Sequence, residues 1–347
     1  TGGLSSFMPL GEAISHAFII GTYPAEEADV LAAERAYCEM EKELEDELDH
    51  YEARHPGCDE YNVKAQEIWH DPYALCAIIS AYLGGEEWTI DSAYPVMERY
   101  FKLQYVLTEK ITTETRYRTE QRVGQQLVTD PKTGAQRWES YTYEVEVPYT
   151  YRICDVKLEN KNLSHQPVYS MSREKMGLYA LYMSTLGNMP DLFAGKPHAS
   201  QLKDPLLYDV PEEYKQADPQ FGKLIEEAEK YLGFPYVWGG SSPDTSFDCS
   251  GFVSYVFTNS GVYNTGRLGA TGLYGICQKI TADEARPGDL IFFEGTMGED
   301  VGGITHVGLY VGDNMMIHCG NPITYADLTR SYWQQHFYGF GRIPYDP

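Results

Sequence analysis

At residues 247–253 the chain reads FDCSGFV, and this stretch decides the fold of the second half. Apolar residues continue beyond it at Tyr255, Val256 and Phe257, a spacing that predicts a buried helix beginning at Cys249. Backbone N–H groups and the helix dipole at a first turn favour a thiolate over a thiol. Cys249 is therefore a candidate nucleophile.

Two histidines follow on a predicted β-hairpin. THVGLYV at residues 305–311 alternates as a strand, and MMIHC at 315–319 is its return strand. Because side chains alternate between the two faces of a strand, the loop length decides whether the imidazoles share a face. A three-residue loop at 312–314 places His306 and His318 on one face, whereas a two-residue loop places them on opposite faces.

On one face, the two imidazoles suit a thiol-dependent acyl transfer. His306 would take the proton from Cys249, and His318 would hold the His306 ring in the required tautomer. The oxyanion would be met by the backbone N–H of Cys249 and by the hydroxyl group of Tyr236, which together with Trp238 forms an aromatic wall. Two alternatives stay open from these residues: a buried inert thiol beside core histidines, and a metal site without an evident fourth ligand.

Composition narrows the classes of function. The chain has 347 residues, 43% of them hydrophobic, which is enough for two domains with packed cores. Its formal charge of −24 argues against nucleic acid as a partner and against adsorption to anionic membranes, because both need clustered cations. The seven cysteines contain no CxxC pair, and we expect neither a cofactor nor a metal ion.

The first half is predicted to be mainly helical, with one long β-hairpin. Apolar residues at three- and four-residue steps predict helices over 25–54, 71–84, 91–107 and 171–187. Alternation over 111–118 and, with an interruption at Pro148, over 141–158 predicts the hairpin, whose turn lies at residues 130–134. No spacing in this half is typical of a known chemistry.

Prolines recur from Pro190 to Pro219, which is typical of a linker. We therefore predict an α+β chain with an N-terminal domain at 1–190, a proline-rich linker at 191–218 and a second domain at 219–347. The role of the N-terminal domain is not evident from its residues.

Five ordered motifs carry a resemblance to a known family. They are PYVWGG at 235–240, FDCSGFV at 247–253, PGDLIFF at 287–293, HVGLYVG at 306–312 and MIH at 316–318. This set closely resembles the NlpC/p60 family of papain-like cysteine peptidases, over roughly residues 220–347. The resemblance implies an α+β fold in which the helix carrying the cysteine packs on an antiparallel sheet. It also implies cleavage of peptidoglycan stem peptides, typically at the γ-D-glutamyl–diamino acid bond.

The resemblance implies site residues as well. Cys249 is the nucleophile that forms a thiol acyl-enzyme, His306 is the base and His318 is the third polar residue. Tyr236 matches the family tyrosine near the oxyanion. We therefore expect a cysteine endopeptidase that acts on the cell wall.

A narrower resemblance concerns the residues around the thiol and the C-terminal tail. Asp248 and Ser250 match positions that in some members hold the free L-Ala amine of the stem peptide. HCGNPI at 318–323 and HFYGFGR at 336–342 look like cell-wall hydrolases of Gram-positive conjugative transposons. Such proteins usually carry an N-terminal membrane anchor, so we expect one upstream of this sequence and an extracellular or cell-wall location.

Other functions remain open. The first is an interaction protein of the conjugation apparatus, in which the peptidase-like domain binds wall peptide and the N-terminal domain contacts other proteins of the machinery. The second is an amidase or acyltransferase that uses the same thiol and imidazole. Cys319 should face away from the site as a structural thiol, and a disulfide with Cys277 is the alternative.

Overall fold

The structure is a computed structural model that describes residues 21–297 and 302–345. Its helices, in chain order α1 to α11, are Glu27–Asp49, Tyr51–Arg54, Pro72–Tyr82, Ile90–Gln104, Pro167–Ser170, Arg173–Thr185, Glu212–Ala217, Pro219–Glu229, Cys249–Asn259, Ala270–Ile276 and Ser331–His336. Its strands, β1 to β11, are Glu60–Ala65, Tyr105–Thr129, Gln136–Asn160, Ser241–Ser242, Ser246–Phe247, Gln278–Ile280, Leu290–Glu294, Ile304–Gly312, Met315–Cys319, Ile323–Asp327 and Phe337–Arg342. The helix predicted over 25–54 is interrupted at His50, between α1 and α2.

One compact unit consists of residues 39–68 and 105–160. In this unit β2 and β3 pair antiparallel over their full length, and β1 joins β3 in parallel. The carboxylate of Asp130 accepts hydrogen bonds from the backbone N–H groups of Lys132 and Thr133, which closes the turn between the long strands. The predicted long hairpin is confirmed.

The other compact unit contains, among the described residues, 21–38, 69–104 and 161–345. It therefore includes the helices α3, α4 and α6 as well as the C-terminal sheet. These elements come from both sides of the predicted linker at 191–218, and the predicted domain limits stay a prediction.

A six-stranded antiparallel sheet, in the order β10-β9-β8-β7-β11-β6, forms the C-terminal part of this unit. The helix α9 packs on one face, where Val307 and Ile317 are buried with the helix side chains. Side chains alternate along each strand, so Met316 points to the other face, where it is buried in a second apolar cluster. His306 adjoins Val307 and His318 adjoins Ile317 in the sequence, so both imidazoles lie on this second face. The expected α+β fold, with the cysteine helix packed on an antiparallel sheet, is confirmed.

The turn between β8 and β9 sets the orientation of the two imidazoles. It has only two residues, Asp313 and Asn314, with φ of 49° and 56°. A bulge leaves Val311 without a partner on β9 and so adds one residue to β8. With this extra residue, the two strands pair in the same register that a three-residue loop would give. His306 and His318 therefore share a face, as expected, although the turn itself is shorter.

Candidate active site

The thiol of Cys249 lies in the first turn of α9, as predicted. Asp248 caps this helix: its Oδ1 accepts hydrogen bonds from the N–H of Gly251 at 2.6 Å and from the hydroxyl group of Ser250 at 2.9 Å. The other carboxylate oxygen accepts a hydrogen bond from Nη2 of Arg267 at 2.5 Å. One carboxylate thus holds the helix start and an arginine together beside the sulfur atom.

The sulfur atom of Cys249 faces the backbone of β8. The thiol donates to the carbonyl oxygen of Thr305, with an Sγ···O distance of 4.0 Å, and its side chain is only 4% exposed. Burial and, to a lesser degree, the charge of Asp248 raise the pKa of the thiol to about 12, although the N–H groups of Val307 and Ser250 oppose this rise. Desolvation therefore exceeds the stabilisation expected from the helix start, and the resting group is a neutral thiol.

His306 and His318 form a hydrogen-bonded pair. Nε2 of His306 lies 2.9 Å from Nδ1 of His318, and the two ring planes are nearly perpendicular. Burial lowers the pKa of His306 to about 4; burial and the neighbouring His306 lower the pKa of His318 well below its usual value. Both rings are therefore neutral near pH 7. When Nε2 of His306 donates the shared proton, its Nδ1 presents a lone pair.

The structure brings the thiol to the strand of the imidazole but not into a direct hydrogen bond with it. Cys249 contacts the carbonyl group of Thr305, the residue that precedes His306. Within residues 21–297 and 302–345, no hydrogen bond joins Cys249 to His306 or His318. Hydrogen bonds between a nucleophile and its base often tighten only when substrate binds.

Trp333 is a site residue that sequence reasoning missed. Its ring stacks on His306, with 5.7 Å between centroids and 26° between planes, and meets His318 edge-on at 5.1 Å. Phe293 packs against the indole in turn, at 4.7 Å. These aromatic rings exclude water from the imidazole pair, which is the physical cause of the low pKa values. Trp333 lies in α11, and no spacing in the sequence indicates that this helix packs against the hairpin of β8 and β9.

A cavity of about 390 Å³ opens beside Cys249, and the predicted residues Tyr236 and Trp238 line it. The hydroxyl group of Tyr236 is buried and has no hydrogen-bond partner among the described residues. Burial, above all, raises the pKa of this hydroxyl far above its usual value, so it remains a donor. The side chains of Asp248, Ser250 and Arg267 form the polar side of the cavity.

The first half of the chain contributes a wall of this cavity, which the sequence did not indicate. His165 stacks on Trp238, with 4.0 Å between ring centroids, and burial lowers the pKa of its imidazole to about 4. The indole N–H of Trp238 donates to the hydroxyl group of Tyr169 at 3.3 Å. Gly239 has φ +74°, and a side chain there would lie 2.4 Å from Val168. The segment 163–170 is thus fitted closely to the loop that precedes the thiol.

One group of side chains outside the cavity has donor atoms close enough to share a metal ion. These are Glu34, Cys38 and His70, whose donor atoms lie within 4.8 Å of one another. The carboxylate of Glu34 is 2.8 Å from Nε2 of His70 and also bonds to the ammonium group of Lys196. The hydrogen bonds and charges of His70 and Lys196 lower the pKa of Glu34 to about 2 against its burial. Because the ammonium group already neutralises the carboxylate, we interpret this group as a buried ion-pair network.

The remaining cysteines and helices give two further observations. Cys277 and Cys319 are free thiols, and Cys319 donates to the carbonyl oxygen of Phe247 at 3.2 Å on the side of the sheet away from His318. Among the residues that the structure describes, none of the helices combines the length and apolar character needed to cross a bilayer. The membrane anchor expected upstream lies outside the described residues.

Comparison with known proteins places this site in a family. A sequence model of the NlpC/P60 family matches residues 233–342. The bifunctional muramidase/DL-endopeptidase CwlT of Bacillus subtilis is 46% identical over 121 residues, which are 35% of this chain and 36% of CwlT. The protein named "Probable endopeptidase p60" of Listeria seeligeri is 47% identical over 122 residues, 35% of this chain and 22% of that protein.

A third relative is the Gamma-DL-glutamyl hydrolase of Bacillus subtilis, which is 34% identical over 143 residues, 40% of this chain and 30% of the hydrolase. The chain thus spans about a third or less of the length of these three relatives. The family match contains Cys249, His306 and His318. The C-terminal part of this chain is therefore an NlpC/P60 domain.

Proposed function

We infer that the protein is a cysteine endopeptidase that cleaves peptidoglycan stem peptides. The observation that carries this proposal is the thiol of Cys249 at a helix start, against the strand that bears the hydrogen-bonded pair His306 and His318. The relatives support the substrate class, since their names include a DL-endopeptidase and a γ-DL-glutamyl hydrolase. We place its action at the cell wall for the same reason.

The proposed chemistry passes through a thioester. Nδ1 of His306 removes the thiol proton while the sulfur atom of Cys249 attacks the scissile carbonyl carbon. The oxyanion accepts hydrogen bonds from the N–H of Cys249 and from the hydroxyl group of Tyr236. The imidazolium ion then gives its proton to the leaving amine, and the thioester remains. Water, deprotonated by His306, hydrolyses the thioester and restores the thiol.

The pKa values determine when the proton moves. With the pKa of Cys249 near 12 and that of His306 near 4, a resting thiolate–imidazolium pair is strongly disfavoured. We therefore propose that proton transfer accompanies the attack on the carbonyl carbon, and that His318 stabilises the developing charge by accepting the Nε2 hydrogen bond. In this proposal the base is the neutral imidazole, and the nucleophile is activated only with substrate in place.

We propose the γ-D-glutamyl–diamino acid bond as the bond cleaved. The cavity beside Cys249 offers the carboxylate of Asp248 and the hydroxyl group of Ser250 for a free L-Ala amine. Arg267 bonds to both side chains, at 2.5 Å and 3.0 Å, and is a matching cation for the α-carboxylate of a D-glutamyl residue. These groups suit the acyl half of a stem peptide.

The test is digestion of purified sacculi by the wild type and by Cys249→Ala, followed by mass spectrometry of the released muropeptides. Cys58→Ala is the control, because that thiol lies in the hairpin unit. We expect the control to digest normally and Cys249→Ala to release nothing. Digestion by Cys249→Ala at the wild-type rate would refute the thiol mechanism.

A second function is favoured by one observation: the thiol bonds to the Thr305 carbonyl and not to an imidazole. A domain held in this state would bind wall peptide without cleaving it, as an interaction protein of a conjugation apparatus. Under that alternative, Cys249→Ala would retain stem-peptide binding, and a donor strain carrying it would conjugate at the wild-type frequency. Loss of conjugation in that strain would favour catalysis.

A further inference from the structure

The outer edge of β2 is open along the long hairpin. In the three-stranded sheet the order is β1-β3-β2, so β3 lies in the middle and β2 at one edge. Within residues 21–297 and 302–345, no strand pairs with the other side of β2, and every residue from 108 to 122 is exposed or half-exposed. About half of the N–H and C=O groups of this stretch therefore point away from β3, towards a position that a further strand could take.

The two edges of this hairpin differ in how they are protected. β1 covers the outer edge of β3 from Ile153 to Leu158, and Pro148, further along β3, has no N–H to offer a partner strand. The 25 residues of β2 contain no proline, and they pair with β3 in one continuous register without a bulge. Proline and bulges are the usual means of closing an edge to further strands. The edge of β3 is thus protected, whereas the edge of β2 has neither device.

The charged side chains of β2 make this edge complementary to itself. Lys110, Glu114, Arg116 and Glu120 share one face of the strand, because side chains alternate and these positions are all even. When two copies of β2 pair antiparallel about a two-fold axis at Thr115, each residue lies opposite the one at an equal distance beyond the axis. Glu114 then faces Arg116 of the second copy, and Lys110 faces Glu120 of the second copy. The two-fold axis makes each of these contacts occur twice.

The same charges disfavour the neighbouring registers. An axis at Glu114 or at Arg116 places that residue opposite its own copy. An axis at Tyr117 places Glu114 opposite Glu120 and Arg116 opposite Arg118. Like charges that lie directly opposite each other destabilise a strand pair. The charges on β2 therefore select the register centred on Thr115.

We propose that β2 pairs with β2 of a second copy of this chain over residues 108–122. The two hairpins then form one four-stranded sheet in the order β3-β2-β2-β3. A two-stranded hairpin is only marginally stable by itself, and further strands give its outer backbone groups their partners. In this dimer the backbone hydrogen bonds supply the affinity, and the charged pairs fix the register.

The first test places one new thiol on the axis. In Thr115→Cys the two thiols lie opposite each other, with Cβ atoms about 5 Å apart, so mild oxidation should link the two copies covalently. In the matched control Thr119→Cys, each thiol lies four residues from the axis; the two are about 26 Å apart and should not link. The wild type, with its own seven cysteines, gives the background on a non-reducing gel. Equal cross-linking of the two variants, or none above background for Thr115→Cys, would overturn the proposed register.

The second test exchanges charges between the copies. Lys110→Glu and Glu120→Lys each create two like-charged pairs in the dimer, so each variant alone should dimerise about tenfold more weakly than the wild type. An equimolar mixture of the two variants restores unlike pairs at both positions and should dimerise as well as the wild type. Sedimentation equilibrium measures the dissociation constants, and Lys132→Glu, in the turn beyond the paired stretch, should behave as the wild type. A wild type that is monomeric at every concentration, or a mixture that dimerises no better than its components, would overturn the proposal.

Discussion

The substitution Tyr236→Phe should make the protein more stable and less active. The phenol hydroxyl is buried without a hydrogen-bond partner among the described residues, and such a group costs about 1–3 kcal/mol. Removing the oxygen atom should therefore raise the free energy of unfolding by about 1 kcal/mol. If the same hydroxyl group stabilises the oxyanion, kcat should fall by about 10²–10³-fold, the usual effect of losing one such donor.

Tyr231→Phe is the matched control for this prediction. The hydroxyl group of Tyr231 is also buried but donates to Glu227 at 2.6 Å, and the residue does not line the cavity beside Cys249. Its loss should lower the free energy of unfolding by about 1.5–3 kcal/mol and leave kcat unchanged, because a bond to a charged acceptor is removed. The two variants are thus expected to change stability in opposite directions.

Urea unfolding and initial rates on a defined stem peptide measure both effects. The expected pair of results is a higher midpoint with a much lower kcat for Tyr236→Phe, and a lower midpoint with an unchanged kcat for Tyr231→Phe. A Tyr236→Phe variant that is as destabilised as the control would mean that the hydroxyl group has a partner in the folded protein. Full activity of Tyr236→Phe would refute the oxyanion role.

Three further predictions concern the same site. Because the pKa of His306 is about 4 in the folded protein and near 6.5 when exposed, the unfolded chain binds more protons between these values. Stability to urea should therefore fall as pH decreases from about 6.5 to 4. Activity should not change with pH near neutrality and should be lost below about pH 4. An activity loss centred on pH 6.5 would contradict this prediction. Gly308→Ala would place a methyl group 2.7 Å from Sδ of Met316 and 3.2 Å from Cβ of His318. It should therefore cost about 1–3 kcal/mol in unfolding free energy and displace both side chains, and unchanged activity in this variant would count against the imidazole geometry. Tyr169→Ala removes the acceptor for the Trp238 N–H, and we expect a several-fold higher KM with an unchanged melting temperature, whereas an unchanged KM would exclude a role for the 163–170 wall.

The local elements of the site could be predicted from the sequence because each leaves a periodic trace. Apolar residues after Cys249 repeat with the period of a helix, and alternation around His306 and His318 has the period of a strand. Structure that depends on residues close in the sequence can therefore be predicted from the sequence.

Contacts between elements that are far apart in the sequence produce no such periodic pattern. The stack of Trp333 on His306 joins α11 to β8, and the stack of His165 on Trp238 joins the first half to the loop before the thiol. Neither partner lies at a spacing that marks a helix or a strand. The bulge at Val311 is also invisible, because it depends on how β8 pairs with its neighbour.

The stretch FDCSGFV by itself determined that a cysteine begins a buried helix, and the ordered motifs after it determined the kind of domain. Only the tertiary structure decided the state of that cysteine. Helix-start N–H groups favour the thiolate, but packing against β8 removes water from the sulfur atom, and the cost of desolvating a charge is larger. The thiol of Cys249 therefore rests neutral, because burial is a property of the whole fold and not of the residues beside it.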